Sequence, residues 1–207
     1  MTITKRLKVI FVLSFLIVNA ISYTSCFISN KPQNEDAAIN SMQPISLNNQ
    51  DVDAVFLRNA AEINTAQINL SKLVESNYYT SEVCDLGKAM ETRHRKLYDK
   101  LKLLATEKSI TLPTVTNRIA QNEYDKLSSY SGFYFDKIYC FTVIQNHRDA
   151  IITFDRASKE CNDTDIKKFA ESGFNELRQL LHEALTIQKK IIDKNRMELA
   201  NKGNSQN

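Results

Sequence analysis

Residues 83–104, VCDLGKAMETRHRKLYDKLKLL, decide the fold. Val83, Leu86, Met90, Leu97, Leu101 and Leu104 recur at three- and four-residue steps, which gathers them on one face of a helix. The period-two alternation of a strand is absent. Three other segments read the same way. A first helix opening near Asp53 carries Phe56, Ala60, Ile63, Leu70 and Val74; a third from near Phe133 carries Tyr139, Cys140, Val143, Ile151 and Phe154. A fourth carries Ile166, Phe169, Gly173, Leu177, Leu180, Ala184 and Ile191. Charged residues oppose each stripe, so each helix has one face to bury. Asn77, Ser81 and the Asn162-Asp163-Thr164 group supply breaks and N-caps. Short links then predict an all-α, up-down-up-down four-helix bundle over residues 51–198, with a tail at 199–207. The longer connection, Ser109 to Ser131, is broken by Leu112-Pro113 and predicts a short extra helix over Asn117–Leu127. Gly132 is a natural hinge into helix three. Only 4 Gly and 3 Pro in 207 residues fit long helices better than a turn-rich sheet.

Ahead of the bundle the chain changes character. Lys5, Arg6 and Lys8 form a basic stretch, and Val9 to Ile21 is almost unbroken apolar sequence. That run is shorter than the ~20 apolar residues of a membrane span, and predicts a signal peptide over residues 1–25. Tyr23-Thr24-Ser25-Cys26 resembles a relaxed bacterial lipobox of the Bacteroidota-like kind, in which the Cys26 thiol is acylated. Residues 26–50, rich in Asn, Ser, Gln and Pro, then read as a flexible tether. The expected location is the periplasmic side of a membrane, or the outer membrane, of a Gram-negative cell. The formal charge is +3, from 27 basic and 24 acidic residues. Lys5, Arg6 and Lys8 account for the whole surplus, so the remainder is formally neutral. A nucleic-acid partner needs a cationic surplus that is not there.

Polar residues on the buried faces are the candidate chemistry. His94 lies between Met90 and Leu97, His147 between Val143 and Ile151, and Gln67 holds a similar place on helix one. At ~1.5 Å per residue, both histidines fall roughly 20 Å from one end of the bundle and can share a layer. Such a pair permits a metal site or a hydrogen-bonded core pair. Glu91-Thr92-Arg93-His94 spells the Glu-x-x-His of di-iron bundles, making Glu91 a third candidate ligand, for iron, zinc or manganese. Helix four has no matching copy, which favours polar residues satisfied inside a core. His182 falls at the back of its stripe and reads as exposed. Cys84 and Cys161 are placed at the same bundle end, which allows a disulfide in an oxidising periplasm. Cys140 reads as a small buried hydrophobe.

The chain resembles a ferritin-like family, domain of unknown function 4142, whose members are often labelled "predicted outer membrane protein". The resemblance runs from about Asp53 to Ile192. It rests on Asp53-Ala54-Val55-Phe56-Leu57, on Ala89-Met90-x-x-x-His94 with Leu101, and on Ile110-Thr111-Leu112-Pro113. It continues through Phe135-Asp136-x-x-Tyr139, His147 to Phe154, and Phe169-Ala170 with Leu177. It implies an exported or lipid-anchored helical protein, not a β-barrel. Gln67 stands where the family pattern has an acid, Leu180 where it has a histidine, and Arg93 where it has an Asp. This chain therefore keeps only His94 and His147 of any such core cluster.

The expected function is a non-enzymatic, lipid-anchored envelope protein that binds an unidentified protein partner or supports the envelope, with no cofactor. The alternative is a metal-binding ferritin-like protein using the core histidines. A weaker third reading is an apolar ligand near Phe133-Tyr134-Phe135.

Overall fold

The computed structural model describes residues 49–204. The signal segment, Cys26 and nearly all of the tether lie outside the described residues. The described elements are α1 (Asn49–Lys72), α2 (Val74–Asn77), α3 (Ser81–Glu107), α4 (Arg118–Ser128), α5 (Gly132–Glu160) and α6 (Thr164–Asn204). There is no strand among the described residues. Of the expected caps, the one in the Asn162-Asp163-Thr164 group forms, the α3 start has Thr80 rather than Ser81 at its N-cap with no side-chain cap bond, and Asn117 caps α4. Asp163 Oδ1 accepts from the N–H groups of Asp165 and Ile166 at 2.8 and 3.1 Å, and Asn117 Oδ1 accepts from Ala120 at 2.9 Å. Gly132 takes φ +64°, a left-handed conformation that suits glycine at the entry to α5. The helix α6 runs on to Asn204, so residues 199–204 extend the helix where a tail is expected.

Contacts at the ends set the helix directions. At one end the Asp53 carboxylate accepts the N–H groups of Asn162 and Asp163, at 2.7 and 3.1 Å. Lys108, just past α3, pairs with Asp163 at 2.7 Å, and Arg58 Nε donates to the Thr111 carbonyl at 3.3 Å. The start of α1, the end of α3 and the α5–α6 turn therefore gather there. At the other end Asp136, near the start of α5, accepts from Tyr79 and Thr80, the residues leading into α3. So α3 and α5 start at the same end and run parallel, and the order is up, down, down, up. The expected up-down-up-down order is incorrect. The 108–131 connection is long enough to return the chain along the bundle, with α4 laid against α1 and α5. Asn117 and Asn146 tie it down through 2.7 Å bonds to Glu62 and Glu123.

Around the bundle α1 touches α3 and α5, and α6 touches α3 and α5. Every neighbouring long-helix pair is antiparallel, and α3 faces α5 across the diagonal. The core forms two apolar clusters. One, toward the Asp53 end, includes Phe56, Leu101, Phe154, Phe169 and Leu177. The other includes Leu70, Met90, Phe135, Tyr139, Leu180 and Ile191. Each fully buried large side chain contributes ~1.5–3 kcal/mol. Phe56 meets Phe154 edge-on at 5.1 Å, and Phe154 packs where any side chain at Gly173 would have to sit. Phe135 is wholly buried and Tyr134 is 53% exposed. That aromatic run is chiefly core packing.

Candidate functional site

Between the two apolar clusters lies a polar layer of Asn64, His94 and His147, all with 0% exposure. Helix geometry puts them there. His94 is the thirteenth helical step past Ser81 and His147 the fifteenth past Gly132, so both lie near mid-helix on parallel helices. Their Nε2 atoms stand 3.2 Å apart. His94 Nδ1 meets Asn64 Oδ1 at 2.9 Å, while Asn64 Nδ2 donates to the Ala60 carbonyl at 2.7 Å. His147 Nδ1 lies 2.7 Å from the Val143 carbonyl.

Proton counting defines what this chain of contacts can do. The Val143 carbonyl only accepts, so His147 Nδ1 carries its proton. Asn64 is oriented by its bond to Ala60, so its oxygen faces His94 and Nδ1 there carries a proton as well. Two neutral rings supply only those two protons, which leaves two Nε2 lone pairs facing each other. A third proton or another cation would complete the line. Burial opposes that charge. Desolvation, with the neighbouring His147, holds His94 well below the ordinary histidine range, and burial lowers His147 to about 4.

The other expected ligands do not join the pair. Glu91 turns to Arg95, whose Nε donates to it at 2.9 Å on the exposed face. Gln67 is 3% exposed, and its Oε1 is buried without a hydrogen-bond partner. Among the described residues no three His, Cys, Asp or Glu side chains converge on one point. The donor set is thus two imidazoles, short of the three or four that hold zinc or a di-iron pair. His182 is exposed.

The proposed Cys84–Cys161 bridge is absent. Cys84, Cys140 and Cys161 are free thiols. The parallel course of α3 and α5 puts Cys84 and Cys161 at opposite ends, on the order of 35 Å apart by helix rise. Burial pushes the Cys140 thiol up to about 12. Burial and a hydrogen bond to the Asp53 carboxylate do the same for Cys161. Both are poor nucleophiles.

Three polar residues escaped the sequence reading. Asn64 shares the helical step of Ile63 and is one turn beyond Ala60, so the stripe itself could have exposed it. Asp53 and Asp136 were visible only as matched residues. Their shared signal is an Asp three residues before an aromatic, Phe56 or Tyr139, at the fifth position of a helix.

Residues 39–187 match the family described as Domain of unknown function (DUF4142). The chain belongs to this family. No curated protein matches it. Among solved structures, a conserved hypothetical protein from Mycobacterium tuberculosis is similar at TM-score 0.52 and 13% identity, covering 68% of this chain and 93% of that one. At that identity the likeness speaks for the helical fold alone. Among the described residues of this DUF4142 member, no helix is long and apolar enough to cross a membrane.

Proposed function

We propose that this DUF4142 member is a non-enzymatic protein of the bacterial envelope, exported by residues 1–25 and anchored by a lipid on Cys26. Its bundle, ferritin-like in having two antiparallel hairpins joined by a long crossover, binds a protein partner or supports the envelope. One observation carries the non-enzymatic part. The convergent polar groups of the core, Asn64, His94 and His147, have no exposure, so a substrate has no approach to them. A lipid anchor follows from Cys26 at the end of the apolar segment, where acyl chains would bury many CH₂ groups in a bilayer. Membrane fractionation with labelled palmitate tests it. Label and membrane association are expected for the wild type and lost in Cys26→Ser; equal label in both rejects the anchor.

The metal reading has one observation in its favour, the two Nε2 lone pairs 3.2 Å apart with both Nδ1 atoms held by acceptors. Ligating histidines are oriented in this way. Elemental analysis separates the readings. Stoichiometric iron, zinc or manganese that disappears in His94→Ala would replace the non-enzymatic proposal.

A further inference from the structure

A cleft of about 350 Å³ opens between α1, α4 and α5, and none of Asn64, His94 and His147 lines it. Each element contributes one carboxylate to its lining: Glu62 from α1, Glu123 from α4 and Asp149 from α5. No lysine or arginine lines it. Glu62 and Glu123 accept 2.7 Å bonds from Asn117 and Asn146, but an amide brings no compensating charge. Among the described residues none of the three carboxylates forms a salt bridge. Burial accordingly raises the pKa of Glu123.

Gln67 is an independent observation. It lines the same cleft, is 3% exposed, and leaves Oε1 buried without a partner. An orphaned buried acceptor costs ~1–3 kcal/mol unless something donates to it. Three carboxylates and a carbonyl-type oxygen are all acceptors, so the missing occupant is a donor with positive charge. A bare metal ion does not meet the description. The carboxylates come from three elements and do not converge on a point. The volume also falls in the ~300–1,000 Å³ range of small-molecule sites. Ala66, Ala150 and Ile119, the last 80% exposed, give an organic body apolar surface to lie against.

We propose that the α1–α4–α5 cleft binds a small organic cation of the alkylamine or guanidine class, its N–H groups meeting Glu62, Glu123, Asp149 and Gln67. This goes beyond an envelope scaffold, since it gives the bundle a soluble ligand. Titration calorimetry of the purified protein at low salt, with putrescine, agmatine and calcium chloride as probes, tests it. Saturable binding of an amine is expected, weakened by salt as screening requires. Asp149 is exposed, so Asp149→Asn should weaken binding about two- to fivefold and lessen its salt dependence, as loss of a rim charge does. Gln67→Leu should weaken binding several-fold while circular dichroism stays unchanged. In the unmodified protein, amide shifts on adding amine should centre on Glu62, Gln67, Glu123 and Asp149, a readout that needs no variant to fold. No saturation by either amine up to about 10 mM overturns the proposal. So does unchanged affinity in a folded Glu62→Gln/Asp149→Asn double variant, or calcium binding that displaces the amines.

Discussion

The two ends of the bundle solve one problem with the same residue and unequal force. At each end a buried aspartate, fifth in its helix, reaches across to the other hairpin and satisfies the backbone of its turn. Asp136 of α5 accepts from Tyr79 N–H, Thr80 N–H and the Thr80 hydroxyl at 2.9, 2.8 and 2.7 Å. Asp53 of α1 accepts from the Asn162 and Asp163 N–H groups and from the Cys161 thiol, a weak donor. Asp136 has no exposure, whereas Asp53 keeps 7%. The Asp53 end has other help in the half-exposed Lys108–Asp163 and Lys108–Asp165 pairs. One end is held by a single sealed carboxylate and the other by several weaker, wetter contacts. Orphan N–H groups at a helix start can therefore be satisfied from another element, not only by a local cap. That is why Thr80 can occupy the N-cap of α3 without any side-chain cap bond of its own.

Asp136→Ala gives the largest effect the comparison predicts. It strands two backbone N–H groups and a hydroxyl in a buried site. At ~1–3 kcal/mol for each unsatisfied donor, less what is recovered by no longer burying a carboxylate, the loss is about 4 kcal/mol. Urea denaturation measures it. A loss below about 1 kcal/mol would mean that water reaches Tyr79 and Thr80 easily, and the contrast between the ends would go.

Acid loads the middle of the molecule and leaves both aspartate clamps unmutated. His147 is lowered from the ordinary 6.5 to about 4, chiefly by burial. Between those values the unfolded chain binds the proton more readily than the folded one. Stability from this group is then full above about pH 6.5 and falls as pH drops toward 4, by roughly 3 kcal/mol in all. His94, buried beside it and lowered as well, adds a slope of the same sign, so denaturation midpoints at stepped pH should fall at least that steeply, and His147→Phe should lessen the slope without removing it. A midpoint that instead rises on acidification would show that the two Nε2 atoms already share a proton in the folded state. Protection of Tyr79 and Asn162 amides through the same series reports which end loosens first.

What the sequence could reveal depended on how far each inference reached along the chain. Stripes such as Val83 to Leu104 are local, so the helices and their buried faces were legible. Helix direction across the 108–131 connection was not, because nothing local says whether a crossover returns to its starting end. An up-down-up-down order would bring Cys84 and Cys161 to one end and allow a bridge that the fold forbids. The histidine pair survived the same error for a geometric reason. His94 and His147 lie near the midpoints of α3 and α5, and a midpoint keeps its level when a helix is reversed. Asp53 and Asp136 lie near helix starts, where reversal matters most, and their clamping role was hidden. The α1 stripe puts Gln67 on the buried face, where it lies, but its membership of a cleft with Glu123 depends on α4 lying on α1 and α5.

Asp53→Ala is the smaller, sharper test. It removes two bonds to backbone N–H groups and a weak one to the Cys161 thiol in a site with some solvent contact, so the global loss should be about 2 kcal/mol, half that of Asp136→Ala. Water can replace part of what the carboxylate gave, and Lys108 still holds Asp163. The effect should therefore be local as well as small. Hydrogen exchange is expected to quicken at Asn162 and Asp163 while Tyr79 and Thr80 stay protected, because the two clamps share no residue. The double variant should then be additive within about 0.5 kcal/mol, as sites with no common partner are. A coupling well above that would mean the ends communicate through the packed helices between them, and the inequality described here would belong to the whole bundle rather than to either clamp.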